Sequence, residues 1–552
     1  MPQISSEKYS AYALAALAIG ISLFFKLSLI KVGAPYTTID DNTLFNAGFL
    51  VWFGEAPPQR MYLESWLTGL TSIITYVLHL ISSGQISQLG MNLVADAFRD
   101  FQNNPSDYVH NYRYLMLGFD LLTAFFIFRL STLFFDKQSD YPWLVLVPAC
   151  LYLLTYNTLW CNLVARPDTM TAFFSVIGVY TYFLSAQGTK TTQLFWSAVF
   201  LGCATGFKLH AAMFVIAILV DLIRVHGLKA IFYRALLFSV VSVFIFCVVA
   251  GSPLFDPLLY LKLRMLNVRD DASPWIKQGA QFLVVLRSSG WFIIPLMMGA
   301  IFIAIKGWRK TTSQSVKSLV IIASLFLILF CSLRVLRGYW MLPALALFYI
   351  LATYAIARIK YKPVIVTSVL ILLGLMSLQT YQQAEHFKAA SYNGLQDWIK
   401  TNVHPQDKFY VVGFDTVFLP KNTAALQIQK ELIEQGFKSS VNSGESFTLR
   451  HIRLWEERAQ LLLIDMLNAQ SEKGYEYYAL NSAPFEDLKE KIDYQDFTYF
   501  LVMKGISNKE INGLLAQIQS DFIKVAEANS PGGKSGTGGL AFEIYARKAH
   551  VQ

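Results

Sequence analysis

Long apolar stretches alternate with short polar connections over the first two thirds of the chain. Each stretch approaches the roughly 20 residues that a helix needs to cross about 30 Å of hydrocarbon. The pattern predicts a polytopic α-helical membrane protein with about eleven spans. These are Ala11–Leu29, Tyr114–Phe135, Trp143–Trp160, Thr169–Leu184, Leu194–Thr205, Ala211–Val225, Ile231–Ala250, Trp291–Ile305, Leu319–Leu333, Trp340–Ile356 and Val364–Leu378.

The segment between the first two spans, residues 31–112, has a different pattern. A short helix is predicted from Asp40 to about Phe53. In Leu63–Ser83, leucine and isoleucine side chains form one face, and Glu64, threonines and His79 form another. Because two-faced helices favour the membrane surface over the bilayer core, we predict a surface helix here. Leu89–Phe101 repeats the pattern, so residues 31–112 form an external loop with juxtamembrane helices.

Charge sets the orientation. Only 15% of residues are charged, 54% are hydrophobic, and the net charge of +9 comes from lysines and arginines in the connections. Such residues favour the cytoplasmic side of a membrane, so the charge does not indicate a nucleic-acid partner. We therefore predict a multi-pass protein of the cell membrane with its N-terminus inside. The residues placed inside are Arg129, Lys137, Lys190, Arg224, Lys229, Arg234, Lys306, Arg309, Lys310, Arg358, Lys360 and Lys362.

From about residue 382 the apolar stretches shorten to strand length. Predicted strands alternate with predicted helices, which is typical of a small α/β domain. The boundaries are 1–381 for the membrane domain and 382–552 for an extracytoplasmic domain. The strands are Phe409–Phe414, Phe497–Met503, Phe522–Glu527 and Ala541–Ala546, and the helices are Thr423–Gln435, Arg453–Ser471 and Asn508–Ser520. The glycine-rich Ser530–Gly539 lacks the spacing of a phosphate-binding loop.

Polar residues gather at the predicted external ends of the spans. The candidates are Asp40, Asp41, Arg113, Arg166, Asp168, Lys208, His210, Arg334, Arg337 and Tyr339. Charges beside hydrocarbon are costly and are usually paired or functional. Several cations would suit the phosphate of a lipid headgroup and would stabilise it as a leaving group, while a carboxylate could deprotonate an acceptor hydroxyl.

Each candidate also has a structural interpretation. Asp40 could cap a helix, since a carboxylate is favoured at a helix N-terminus. Asp168 could do no more than pair with Arg166 or Arg113. Lys208 could extend to the membrane interface, which is the commoner position of a lysine at the end of a span.

The order of these motifs resembles that of the GT-C glycosyltransferases, especially protein O-mannosyltransferases and bacterial lipid A aminoarabinose transferases. The matching residues are the acidic pair Asp40–Asp41, Arg113 at the start of a span, Ala165–Arg166–Pro167–Asp168, Lys208 after Gly206, and Arg337–Gly338–Tyr339 before Pro343. The late motif leaves open whether Arg334 or Arg337 contacts ligand.

The resemblance implies an inverting sugar transfer from a polyprenyl-phosphate donor, with Asp40 as the base. The acceptor would be a lipid, a glycan or a protein. No cofactor is indicated, although some relatives use a divalent metal. The alternatives are a transporter or flippase of a lipid-linked or anionic substrate, an oligosaccharide ligase or polymerase, and a non-catalytic scaffold or sensor. A transporter would be expected to show internal repeats and broken helices at mid-membrane.

Overall fold

The structure is a computed structural model. It describes residues 6–31, 66–103, 105–135, 141–164, 166–185, 188–250, 293–306, 313–331, 338–388, 391–413, 419–435, 474–479, 485–504, 509–528 and 541–551, together with residues 461, 464, 465 and 483. The predicted helix at Asp40–Phe53 and nearly all of that at Arg453–Ser471 lie outside these residues.

The chain forms two compact units. The membrane unit comprises the described residues of Met1–Ile30, Arg60–Thr68 and Arg113–Ala384. The second unit comprises those of Lys31–Gln59, Gly69–Tyr112 and Glu385–Gln552.

Every predicted span overlaps a helix or a pair of helices among the described residues. In chain order the helices up to residue 388 are α1 (Ser6–Leu29), α2 (Trp66–Ser82), α3 (Leu93–Asn103), α4 (Pro105–Ser131), α5 (Val147–Leu153), α6 (Tyr156–Leu163), α7 (Asp168–Leu184), α8 (Thr191–Phe207), α9 (Ala212–His226), α10 (Leu228–Ala250), α11 (Ile293–Lys306), α12 (Gln314–Cys331), α13 (Leu342–Ala357) and α14 (Lys362–Lys388).

By length and composition, five helical segments among the described residues can cross a membrane, or six if one bent pair is a single span. Four shorter apolar helices accompany them. The chain is therefore a multi-pass membrane protein, and the total number of spans stays a prediction.

The span predicted as one helix at Trp143–Trp160 is broken. Its two parts, Pro142–Leu153 and Tyr156–Leu163, meet at 47° because Thr155 adopts an extended conformation. Hydroxyl groups satisfy the carbonyls that the break exposes: Ser22 donates to Leu153 at 2.8 Å, and Thr380 donates to Leu154 at 2.5 Å. Such replacement bonds allow a membrane helix to be interrupted at little cost.

Close packing fixes the end of α8. A Cβ added at Gly202 would lie 2.7 Å from the backbone oxygen of Ser242, and one at Gly206 would lie 2.3 Å from Val249. Both neighbours belong to α10, so the two glycines allow these helices to approach closely. This contact holds the last turn of α8, from which Lys208 follows directly.

The residues after 391 form the predicted α/β domain. Its helices are α15 (Ser391–Asn402), α16 (Thr423–Gln435), α17 (Phe485–Leu488), α18 (Lys509–Asp521) and α19 (Lys548–Val551), and its strands are β1 (Lys408–Val412), β2 (Glu476–Ala479), β3 (Phe497–Met503), β4 (Phe522–Ala528) and β5 (Phe542–Arg547). The sheet order is β2-β1-β3-β5-β4, with β1 parallel to β2 and β3. Strand β5 is antiparallel to β3 and β4.

Alternation along β1 divides the core of this domain between two faces of the sheet. Phe409 and Val411 pack on the face that α15 covers, and Tyr410 and Val412 pack on the face of α16 and α18. The sequence analysis did not predict β2 or α15. Strand β2 has only four residues, and α15 follows α14 almost without a change in pattern.

Helix α2 is amphipathic as predicted, and its polar face packs against protein. Thr71, Ser72, Thr75 and His79 are buried. His79 Nδ1 lies 2.5 Å from Asp100 Oδ2 on α3, and the Tyr108 hydroxyl of α4 donates to the Ser72 carbonyl. The exposed side of α2 is apolar and includes Leu70, Ile74 and Ile81. This arrangement is the reverse of that of a helix on the surface of a soluble protein.

We expect the apolar side of α2 and the connection after it to contact lipid. Residues 80–95 contain no charged side chain, and Ile86, Leu89 and Met91 are exposed there. A fluorophore on Ile81→Cys or Met91→Cys, in a background without the native cysteines, should be quenched by nitroxide-labelled lipid. The same fluorophore on Gln517→Cys of α18 should instead respond to an aqueous quencher. Equal aqueous quenching at all three positions would rule out the lipid contact.

Candidate active site

Asp168 is the first residue of α7. Pro167 precedes the helix and has no backbone N–H with which to extend it toward the N-terminus. Its carbonyl accepts hydrogen bonds from both the backbone N–H and the hydroxyl of Thr171. The carboxylate therefore lies at the helix N-terminus, where the aligned peptide dipoles stabilise negative charge. Its side chain is 1% exposed.

Lys208 contacts Asp168 although it lies 40 residues later in the sequence. The residue is extended, with φ −150° and ψ 121°, between the end of α8 and a 3-10 turn at Leu209–Ala211. Its Nζ donates to Asp168 Oδ1 at 2.6 Å, and its side chain is 2% exposed. Lys208 is thus turned into the protein, and the interpretation that it extends to the membrane interface does not describe this structure.

Arg166 completes a buried charge cluster. Its Nε lies 3.6 Å from Asp168 Oδ2, which is too long for a hydrogen bond but close enough for an ion pair, and its side chain is 4% exposed. The Asp168 Oδ2 atom itself has no hydrogen-bond partner in the described structure. Two cations therefore contact one carboxylate, and these three side chains together carry one formal positive charge. Such a cluster is chemically suited to an anion.

The turn that contains His210 packs against the segment before α13. The His210 ring stacks on that of Trp340, with centroids 5.7 Å apart and planes inclined by 18°. Trp340 belongs to the 3-10 turn Gly338–Met341, which also packs against α6. The fold thus brings the turn Gly338–Met341 close to the turn that contains His210.

Arg113 contacts the main chain of two other segments. Its Nε donates to the Leu163 carbonyl at 2.8 Å, and its Nη1 donates to the Ile30 carbonyl at 2.7 Å. The side chain is completely buried. Arg113 therefore binds the main chain at the ends of α1 and α6, and its contact with phosphate stays a prediction.

Several predicted site residues lie outside the described residues. These are Asp40, Asp41, Arg334, Arg337 and the side chain of Tyr339; for Tyr339 only the backbone turn is described. Among the residues that the structure describes, no group of three or more His, Cys, Asp or Glu side chains could hold a metal ion. The prediction that no cofactor is needed remains a prediction.

The ionisable residues inside the spans that the sequence analysis overlooked include Lys26, Asp120 and Asp221. Lys26 lies in the last two turns of α1, and Asp120 lies in the middle of α4. Their Nζ and Oδ2 atoms are 2.7 Å apart. The signal was available, because a charged residue within an apolar span is rare and calls for a partner.

Comparison with known proteins rests on structure alone. No family model matches the chain, and no curated protein sequence matches it. The crystal structure of ArnT from Cupriavidus metallidurans bound to undecaprenyl phosphate is similar, with a TM-score of 0.51 and 11% identity over 97% of this chain and 98% of that chain. The apo structure of the same protein gives a TM-score of 0.45 at 11% identity, over 92% and 98% of the two chains.

At this identity the similarity to the ligand-bound structure shows the fold. The match covers nearly all of both chains, including the helical bundle and the C-terminal sheet domain. The chain therefore has an ArnT-like fold, as the order of the sequence motifs indicated.

Proposed function

We propose that this chain is a membrane glycosyltransferase that moves a sugar from a polyprenyl-phosphate donor to an extracytoplasmic acceptor hydroxyl. The observation that carries the proposal is the buried Arg166–Asp168–Lys208 cluster within an ArnT-like fold. The similar ArnT structure was crystallised with undecaprenyl phosphate, a lipid of the proposed class.

The side of the membrane follows from charge. Lys190 lies at the end of α8 opposite Lys208, and Arg224 lies in the last turn of α9. If these cations are cytoplasmic, as positive-inside statistics favour, the cluster of Asp168 and Lys208 faces the extracytoplasmic side.

The cluster would bind and stabilise the donor phosphate. Lys208 and Arg166 would donate charge-assisted hydrogen bonds to phosphate oxygens, and Asp168 would hold Lys208 in position. Arg334 or Arg337, with Tyr339, would approach from the segment before α13, and Arg113 and His210 would be further contacts. As the bond between the sugar C1 and the phosphate oxygen breaks, these cations would stabilise the charge that develops on the phosphate.

The acceptor would be activated by the acidic pair. Asp40 would remove the proton of the acceptor hydroxyl, whose oxygen forms the new bond to C1 from the face opposite the phosphate. Asp41 would support this base. Attack from the opposite face inverts the anomeric carbon and leaves polyprenyl phosphate as the second product.

A transporter remains the alternative from another functional class, because Lys26 and Asp120 are charged residues within spans and the span Pro142–Leu163 is broken. The polar groups of the proposed phosphate site lie at helix ends instead, which favours the transferase.

Native mass spectrometry of the purified protein tests the proposal. We expect a co-purifying mass that corresponds to polyprenyl phosphate or its sugar-linked form, and we expect added undecaprenyl phosphate to bind with one-to-one stoichiometry. Incubation of the sugar-linked form with envelope extracts should release undecaprenyl phosphate as the sugar is transferred. Movement of the intact donor across vesicle membranes without its cleavage would favour the transporter instead.

A further inference from the structure

One face of α1 carries three polar links to other helices. Ser22 and Lys26 are four residues apart, so they lie above one another on a helix of 3.6 residues per turn, and Ile30 directly follows the last residue of α1. The Ser22 hydroxyl donates to the Leu153 carbonyl at 2.8 Å. Lys26 Nζ donates to Asp120 Oδ2 at 2.7 Å, and the Ile30 carbonyl accepts from Arg113 Nη1 at 2.7 Å. We call this row the polar face of α1.

The partners are arranged in a matching row. Arg113 and Asp120 are seven residues apart, which is about two turns, and so lie on one face of α4. Helices α1 and α4 therefore have two polar contacts, one at Lys26 and one just beyond the end of α1. The Tyr152 hydroxyl, 3.5 Å from Asp120 Oδ1, adds a contact from α5.

Stability alone is a poor explanation for this arrangement. Removing two charges from water costs roughly what their attraction returns, so apolar side chains of similar volume would hold the helices at least as well. An ion pair adds directional specificity, because Lys26 can bond to Asp120 in only one alignment of α1 against α4. The pair occurs where the chain leaves α1 for the segment that contains Asp40 and Asp41.

Arg113 connects this helix end to the charge cluster. The guanidinium group that binds the Ile30 carbonyl also binds the Leu163 carbonyl, three residues before Arg166 and five before Asp168. In addition, the Asn162 side chain donates to the Arg113 carbonyl at 3.3 Å. One buried side chain thus fixes the exit of α1 relative to the loop that holds Arg166 and Asp168.

We propose that the polar face of α1, bonded to Asp120 and Arg113, is a positioning device that sets where the acidic segment after residue 31 begins relative to the Arg166–Asp168–Lys208 cluster. Lys26 is its positioning residue and does not need to touch substrate, and Arg113 holds the end of α1 through its two carbonyl contacts. The inference rests on the proposed function only for the role of Asp40. The fixed geometry of the helix end is independent of that role.

The test removes the ion pair without leaving a lone buried charge. In Lys26→Met/Asp120→Leu, apolar groups of similar volume replace both side chains. Spin labels at the exposed Lys31 and Thr191, as cysteines in a background without native cysteines, report the distance from the exit of α1 to the far end of α8. We expect a narrow distance distribution in the parent protein and a shifted or broader one in the double variant.

A second ion pair, in which the carboxylate is buried and the arginine side chain is 25% exposed, supplies the control. Arg224 donates to Asp221 at 2.7 Å, and the Tyr182 hydroxyl donates to the same carboxylate. Arg224→Met/Asp221→Leu should leave the Lys31–Thr191 distribution unchanged. Equal broadening in both double variants, or none in the Lys26 variant, would overturn the proposal.

Measurements of the transfer rate and of donor binding distinguish a positioning role from a general loss of structure. We expect Lys26→Met/Asp120→Leu to lower the rate of transfer by about 10²-fold while undecaprenyl phosphate binds as before, because a small misplacement of a reacting group is enough to cause such a loss. Arg113→Lys, which retains the charge but loses the forked contact to two carbonyls, should alter the Lys31–Thr191 distance distribution in the same way. The exchanged pair Lys26→Asp/Asp120→Lys, unlike the apolar double variant, should have the Lys31–Thr191 distance distribution and the transfer rate of the parent protein.

The two proposals fail in different ways. An unchanged distance in the ion-pair variant rejects the positioning device, whatever the protein catalyses. A changed distance in a protein whose transfer survives Asp40→Asn rejects Asp40 as the base and leaves the geometry of α1 intact.

Discussion

Asp40→Asn is expected to abolish sugar transfer while the protein stays folded and keeps its donor. Asparagine has the shape of aspartate but cannot accept a proton from the acceptor hydroxyl. A positioned general base contributes about 10²–10⁴-fold to a rate, and we expect a loss of that size. The measurement is the release of undecaprenyl phosphate from the sugar-linked donor, with donor binding followed in parallel by native mass spectrometry.

The control for this substitution is another acid of the predicted external loop, residues 31–112. Asp107 lies in the first turn of α4, and its side chain is 67% exposed. Asp107→Asn should transfer sugar at the parental rate. Transfer at the parental rate in Asp40→Asn would show that Asp40 is not the base. An equal loss of transfer in Asp40→Asn and Asp107→Asn would indicate a general effect of charge.

Lys208→Met is expected to have the second largest effect, on donor binding and on stability together. Loss of a charge-assisted hydrogen bond to phosphate weakens binding by about 1.5–3 kcal/mol, or roughly 10- to 150-fold. The substitution also leaves Asp168 with Arg166 as its remaining cation in the cluster. Breaking a buried pair from one side typically destabilises a protein by about 3–5 kcal/mol. Binding of undecaprenyl phosphate and the midpoint of thermal unfolding measure the two effects.

A double variant separates these effects. Lys208→Met/Asp168→Asn removes the whole charge pair, so stability should recover toward that of the parent while binding of undecaprenyl phosphate stays weak. Recovery of binding in the double variant would mean that Lys208 only neutralises Asp168 and does not contact phosphate. Lys190→Met, at the exposed opposite end of α8, should change neither property.

Much of the architecture could be predicted from sequence because the bilayer imposes a simple requirement. A segment such as Ile231–Ala250 must be helical and apolar to cross hydrocarbon, and its composition is sufficient to identify it. Strands such as Phe497–Met503 were predicted with the boundaries observed, because a buried strand leaves an uninterrupted apolar run. Motif order identified the GT-C resemblance for the same reason, since each motif marks the end of a span.

The features that sequence reasoning missed depend on contacts with other helices. The break at Thr155 is stable only because Ser22 and Thr380 supply hydroxyl groups from other helices. The polar face of α2 packs inward because α3 and α4 offer Asp100 and Tyr108 to it. Neither arrangement can be read from the local pattern, in which the same residues are equally compatible with a straight span or a helix facing water.

The sequence by itself determined a multi-pass helical membrane protein with a C-terminal α/β domain, because burial in lipid and burial in a sheet each select a local pattern of side chains. Only the tertiary structure decided which charges meet. Asp168 and Lys208 are 40 residues apart and Lys26 and Asp120 are 94 apart, yet each pair is joined by a hydrogen bond shorter than 2.8 Å. Electrostatic pairing depends on distance in space, and helix packing rather than sequence separation sets that distance.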